Sequence, residues 1–287
     1  MTDVNSNEEI INYYDTCEQD YRKWWDLEES LSMHAGYWDA TTKTLREALV
    51  KENQIMAEIA RITNSDKILD AGCGFGGSAL YLAAQYDCHV TGITLSERQV
   101  EVGQTKAKER GLAKKVNFLT MDFTKTRFPA QSFDVVWAIE SVCHTSNKQD
   151  FIKEAWRLLR PGGRLIVADG FNVKTHNTPE EKRLIHKAMS GWAVQMLESI
   201  SRFEDDLKNE GFQKIEKRDV TANVLPSSKK LFFYSFPAIT FSKIGELLGW
   251  STKRQTDDFK SYFYQYKIVK KGLSKYYFIY AEKPLKQ

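Results

Sequence analysis

Chemistry-bearing side chains gather at a few places along this 287-residue chain. The stretch Ile68 to Gly77, ILDAGCGFGG, sets four glycines straight after a short apolar run. Glycine admits backbone conformations closed to other residues and lets a ligand approach the main chain, so a cofactor loop is expected here. Two spacings overlap in it: Gly72, Gly74 and Gly77 fit G-x-G-x-x-G, while Asp70, Gly72 and Gly74 fit D-x-G-x-G. Farther on, His144 is of the type that removes a hydroxyl proton near neutral pH, and it stands four residues after Glu140. Asp169 could orient that imidazole or share its proton. Glu140, Tyr37, Trp192 and the aromatic-rich stretch Phe232 to Trp250 would instead suit chemistry that builds positive charge on carbon.

These residues need a frame that brings distant segments together. Ile10, Tyr14, Cys17, Tyr21 and Trp24 are spaced for one face of a helix, and Leu45, Ala48, Leu49, Met56 and Ile59 for another. KILDAG then reads as a buried strand and opens an alternation. SALYLAAQY is a helix, CHVTGITL a strand, SERQVEVGQTKAKERG a helix closed by Gly111, and KVNFLTMDF a strand. The strand FDVVWAIES, the helix KQDFIKEAWRLL, the turn RPGG and the strand RLIVADGF follow. Such alternation predicts an α/β fold: a Rossmann-like, mostly parallel seven-stranded sheet with helices on both faces. Beyond Phe171 the pattern changes to helical segments over Pro179–Ser199 and Arg202–Asn209, a strand in FQKIEKRDVTANV, the aromatic stretch, and a last strand in KYYFIYAEKP. The chain is therefore divided into an N-terminal helical segment, 1–65, and a core, 66–287, with C-terminal cap insertions at about 172–200 and 224–273.

Composition narrows the partners. A net charge of +3, from 41 basic and 38 acidic residues, supplies no basic stripe for a nucleic-acid backbone. No apolar run reaches a membrane span, and the polar start MTDVNSNEEI lacks the blocks of a signal peptide, so a cytoplasmic protein is expected. The cysteines, Cys17, Cys73, Cys88 and Cys143, lack C-x-x-C spacing, and no metal is indicated. Oligomeric state cannot be read.

A nicotinamide dinucleotide asks for a carboxylate at the tip of the second strand. That tip is Gly92, Ile93, Thr94, Leu95, with no acid, although Arg98 could meet a 2′-phosphate. S-adenosylmethionine asks for ribose partners and an acceptor for the adenine amino group, and Asp122 with Phe123 offers the acceptor and an apolar ring. With these residues in place, LDAGCGFGG, MDF, FDVVWAIES and LLRPGGRLIVAD resemble, in order and spacing, the class I S-adenosylmethionine-dependent methyltransferases over about Asp66 to Gly170. GITLSERQ resembles the cyclopropane and mycolic acid synthases. IESVCHTSNK, YYD and SMHAGYWD resemble sterol and tocopherol methyltransferases and natural-product methyltransferases, and the last two resemblances imply that the 1–65 segment closes over the cofactor.

The resemblance implies methyl transfer from S-adenosyl-L-methionine to a small, lipophilic or natural-product-like acceptor, at a hydroxyl oxygen or an isoprenoid-type carbon. It implies that Tyr14, Asp70, Gly72, Gly74, Thr94, Leu95, Gln99, Asp122, Phe123 and Glu140 bind the cofactor, with His144, Glu140 and Asp169 as catalytic candidates. A nicotinamide oxidoreductase using the same loop, or a non-catalytic relative that keeps the fold, are the alternatives.

Overall fold

The computed structural model describes residues 7–285; the first six residues of the 1–65 segment and the last two of the core lie outside them. Helices α1 (Asn7–Trp24) and α2 (Leu27–Ser30) precede α3 (Leu45–Ile59), whose start is fixed by a reciprocal cap between Thr44 and Glu47. The alternating region is β1 (Lys67–Ala71), α4 (Gly77–Tyr86), β2 (His89–Thr94), α5 (Glu97–Glu109), β3 (Val116–Thr120), β4 (Phe133–Ile139), α6 (Lys148–Leu158) and β5 (Leu159–Asn172). Then come α7 (Pro179–Met189), α8 (Ile200–Glu210), β6 (Gln213–Asp219), α9 (Thr221–Leu248), α10 (Lys253–Lys270) and β7 (Ser274–Glu282).

The strands form one seven-stranded sheet, in the order β3-β2-β1-β4-β5-β7-β6. The first five run parallel, and β7 is antiparallel to both β5 and β6. Side chains alternate between the two faces. Ile68, Val135, Trp137 and Ile166 pack with Met56, Ala79 and Leu80 of α3 and α4, while Leu69, Val136 and Leu165 pack with Phe151 of α6 and Phe203 of α8. The expected α/β architecture is the one found. Strand order reverses between β1 and β4, so the loops leaving their carboxyl ends diverge and open a crevice.

Local readings differ from the structure in five places. Trp24 is exposed and Trp25 buried, because the inward face of α1 runs through Tyr13 and Cys17. The RPGG turn is absorbed into β5, where the pairing with β4 jumps from Phe133↔Leu159 to Val135↔Arg164. Helix α7 stops at Met189, and a short 3₁₀ turn, Ser190–Trp192, follows. There Gly191 passes so close to α10 that a Cβ would meet the Asp257 carbonyl at 2.2 Å. The sixth strand ends at Asp219, whose carboxylate accepts from Thr221 N and Oγ1 at the point where α9 begins. The aromatic stretch is one 28-residue helix despite Pro226 and Pro237.

Candidate active site

At the carboxyl ends of the parallel strands lies a cavity of about 350 Å³. All twelve residues singled out from the sequence for cofactor binding or catalysis line it. The glycine loop turns with Gly72 at φ +86° and Gly74 at φ +53°. Both Gly72 N and Cys73 N donate to Ile93 O across the β1–β2 gap. Asp70 is buried beneath, and burial pushes its carboxyl up to about 7; its Oδ2 has no hydrogen-bond partner among the described residues. At the end of β2, Thr94 Oγ1 donates to Gln99 Oε1 at 2.5 Å, which leaves the buried Gln99 Nε2 without a partner. Asp122 lies just past β3, its Oδ1 accepting from Thr124 and its Oδ2 from Asn7 of α1. Phe123 sets its ring edge-on to Phe151.

Glu140 is the first residue after β4 and takes a left-handed backbone, φ +46°, that non-glycine residues adopt only at a cost of about 1 kcal/mol. Its carboxylate oxygen Oε1 accepts from Ala35 N at 2.7 Å and lies 2.9 Å from the Tyr276 hydroxyl. The same hydroxyl lies 3.0 Å from Glu52 Oε1. One hydroxyl proton cannot serve two carboxylates at once, so a carboxyl proton completes the line Glu140–Tyr276–Glu52. Glu140 is the group that takes up this proton: burial first, then the neighbouring Glu52 charge, push its carboxyl up to about 7, so near neutral pH it exists both protonated and as the free carboxylate. Glu52 is itself anchored by His34 Nδ1 at 2.6 Å and Gly36 N at 2.9 Å. Burial alone would lower the His34 pKa, but Glu52 outweighs it and raises it.

His144 ends a 3₁₀ turn, Val142–His144, and its Nε2 is 2.8 Å from the Tyr14 hydroxyl of α1. Burial lowers its pKa to about 4, so the ring is neutral near pH 7. Asp169 makes no hydrogen bond to that ring. It accepts from Cys143 N and Gly170 N, both at 2.8 Å, and so fixes the backbone from which His144 projects. Trp192 lines the cavity, whereas Tyr37 packs on Phe278 outside it, and no residue from Phe232 to Trp250 reaches it. From α9 the lining takes Val224, Ser227, Ser228 and Leu231 instead.

Buried acids give the fold an unusual pH dependence. Burial raises Asp70 to about 7, Asp169 to about 6 and Asp258, on α10, to about 7, all from an ordinary 3.8. Between those values the folded chain keeps protons that the unfolded chain has lost, so stability falls as pH rises through the window. His144 opposes this only below its ordinary 6.5, where the unfolded imidazole takes up a proton first. Urea midpoints of the cofactor-free protein should therefore be lower at pH 8 than at pH 6.5, by about 2 kcal/mol in stability. An equal or higher midpoint at pH 8 would contradict the buried-acid account.

Residues 69–167 match the family model described as a methyltransferase domain. Among curated proteins, the 27-O-demethylrifamycin SV methyltransferase of Amycolatopsis mediterranei is 34% identical over 69% of this chain and 73% of its own length. The chain belongs to the methyltransferase family. A second relative, the probable tocopherol O-methyltransferase of Oryza sativa, is 30% identical over 88% of the chain and 72% of its own length. Among solved structures, the cyclopropane synthase MmaA2 of Mycobacterium tuberculosis superposes with a TM-score of 0.81 over 98% of this chain and all of that one, at 19% identity.

The methyltransferase uses S-adenosyl-L-methionine and acts on a small-molecule acceptor. The nicotinamide alternative is set aside by this membership. It also loses its anchor in the structure, because Arg98 is engaged bidentately by Glu18 of α1 and is not offered to a 2′-phosphate. Sequence reasoning missed three residues of the methyltransferase site: His34 and Tyr276 in the cavity wall, and Glu52 buried behind them. One signal was available. Glu52 sits three residues after Leu49 and four before Met56, on the apolar face of α3, and it is fully buried.

Proposed function

We propose that this methyltransferase O-methylates a hydroxyl group on a small lipophilic acceptor, with Glu140 receiving the hydroxyl proton. The observation that carries the reading is the Glu140 side chain on the cavity wall, with only Oε1 used in hydrogen bonds to the protein; burial, which pushes its carboxyl up to about 7, adds to it. A general base works best when its pKa lies near the operating pH, and Glu140 meets that condition where His144, at about 4, is a much weaker base. The apolar wall of Met189, Trp192, Val194, Leu197, Val224 and Leu231 suits a lipophilic body. The names of three relatives point the same way, since they are O-methyltransferases, while sterol 24-C-methyltransferases stand among the others.

The residues present fit the cofactor. Asp70 Oδ2 and Gln99 Nε2 are buried polar atoms without partners, and the ammonium of a methionine part and the hydroxyls of a ribose complement them. Asp122 would take the adenine amino group by releasing Asn7, with Phe123 against the base, and the Gly72–Gly74 backbone would face the methionine part. Tyr14 and Leu95 would complete the enclosure. When bound, S-adenosylmethionine would supply an electrophilic methyl group to an acceptor oxygen in line with the carbon–sulfur bond, that bond breaking as the O–C bond forms and S-adenosylhomocysteine leaving as the neutral thioether. The chain's share is to align the acceptor, exclude water, and hold the released proton on Glu140, from which Tyr276 and Glu52 lead it away from the cavity. The Tyr14–His144 pair ties α1 to the loop after β4, and Asp169 holds that loop's backbone.

The division at residue 65, with the first segment acting as closure, belongs to this proposal. It is supported by Ile10, Ile11, Tyr14, Met33 and Ala35 in the cavity lining. So does work in the cytoplasm: no helix among the described residues is long and apolar enough to cross a membrane. The test is methyl transfer with isotopically labelled cofactor on a panel of phenols, prenylated quinols, macrolactone alcohols and isoprenoid diphosphates. An O–CH₃ resonance in the product supports the reading, and a new C–CH₃ bond replaces it with carbon methylation. Binding of S-adenosylhomocysteine without turnover on any acceptor would favour the non-catalytic alternative.

A further inference from the structure

Helix α9 is packed the wrong way round for water. Ser228, Ser235, Ser242 and Gly245 face inward, and Ser242 Oγ lies 2.7 Å from Thr256 Oγ1 of α10. A Cβ on Gly245 would strike the Ser251 side chain at 2.6 Å. The large apolar residues face outward. Of the thirteen large apolar side chains exposed among the described residues, eight lie between Phe233 and Trp250, with Leu247 88% and Leu248 69% exposed. Scattered exposed apolar residues are ordinary, but a concentration of this kind on one helix marks a surface that something covers.

The spacing shows a single face. Phe233, Phe236, Ile244 and Leu247 are separated by three, eight and three residues, which keeps them on one side of a helix. Lys229 and Lys243 lie seven residues to either side of Phe236 and share that side; neither makes an ion pair among the described residues. Tyr234 lies tilted against the exposed Trp24 of α1, ring centroids 5.5 Å apart, and Trp250 follows the helix end at Gly249. Among the charged residues of α9, Lys229, Lys230 and Lys243 outnumber the single acid, Glu246.

We propose that the outer face of α9 docks this methyltransferase on an anionic lipid surface. Phe, Leu, Ile and Trp would enter the headgroup boundary, and the two unpaired lysines would reach its phosphates. A second copy of the chain fits less well. Two-fold pairing would bring the lysine-bearing faces together with no matching acids, because Glu246 lies in the field of Lys253 on the neighbouring helix. The same helix serves both: the first turns of α9 supply Val224, Ser227, Ser228 and Leu231 to the cavity wall from its inner side, and the later turns carry the apolar face on the opposite, outer side. The proposal does not depend on which atom of the acceptor is methylated.

The experiment is co-sedimentation of the full chain with vesicles of phosphatidylcholine alone and of phosphatidylcholine mixed with phosphatidylglycerol. Binding to the mixed vesicles that weakens with salt is the expected result, with much weaker binding to the neutral ones. The pair Phe236→Ser and Leu247→Ser should lower partition onto mixed vesicles about tenfold or more. The pair Lys229→Gln and Lys243→Gln should lower it about thirtyfold, as expected for two cations near a charged surface. Neither pair touches the cavity, so unchanged S-adenosylhomocysteine affinity certifies the fold of both variants. Failure to sediment with either vesicle, or wild-type partition in both variants, overturns the proposal. So does a wild-type dimer that Phe236→Ser and Leu247→Ser dissociates, which would assign the face to a second copy.

Discussion

Glu140→Gln should lower turnover by about 10² to 10⁴ while leaving S-adenosylhomocysteine affinity close to wild type. Glutamine keeps the shape and can still accept from Ala35 N, so the β4 end stays in place; what it loses is the site for a proton. The pH profile carries the sharper part of the expectation. A carboxyl at about 7 is a usable base only in its ionised form, so wild-type kcat/KM should rise about tenfold per pH unit below 7 and level off above it. In the Gln variant the residual rate should be flat across that range. His144→Ala offers the contrast, because the imidazole is already neutral down to about 4. Its loss, and that of the Tyr14 contact, should change the height of the profile but not its inflection. A wild-type profile that is flat from about pH 5.5 to 8.5, together with full turnover in Glu140→Gln, would remove Glu140 from the proton's path.

Much of this site was legible because its chemistry is attached to strand ends. Asp70, Thr94, Asp122, Glu140 and Asp169 each stand at or just beyond the carboxyl end of a strand that its own apolar residues declare. A parallel sheet then brings such ends to one edge whatever the connections between them. Glu52 and Tyr276 were not legible by that route. One is on a helix far upstream and the other on the antiparallel strand β7, and only their meeting at 3.0 Å explains a carboxylate on an apolar helix face. The cap was hidden for a different reason. Two prolines and a run of aromatics deny α9 a helical signature, and periodicity assumes that large apolar residues face inward. Here serines face inward, so the aromatics that sequence reasoning placed near the acceptor lie on the outside.

Gly72→Ala should abolish measurable cofactor binding, a loss of at least about a hundredfold, and should do so through the wall behind the loop. At φ +86° an alanine is strained, and its Cβ would stand 2.3 Å from the Ser141 Cβ and 2.9 Å from its Oγ. Ser141 cannot retreat freely, because its hydroxyl donates to Ala71 O at 2.6 Å and so ties the turn after β4 to the end of β1. The added methyl must therefore push the glycine loop and the segment carrying Glu140 apart, which damages the cofactor wall and the proposed base together. Gly74→Ala is the control. Its Cβ would meet only the flexible end of Met33 at 3.3 Å, so it should retain affinity within about tenfold, the cost of a left-handed alanine alone. Isothermal titration with S-adenosylhomocysteine, with circular dichroism to confirm folding, separates the two. Native affinity in folded Gly72→Ala would mean that the loop does not bear on the cofactor at this point. Equal losses in both variants would mean that backbone strain, and not the contact with Ser141, makes glycine necessary at position 72.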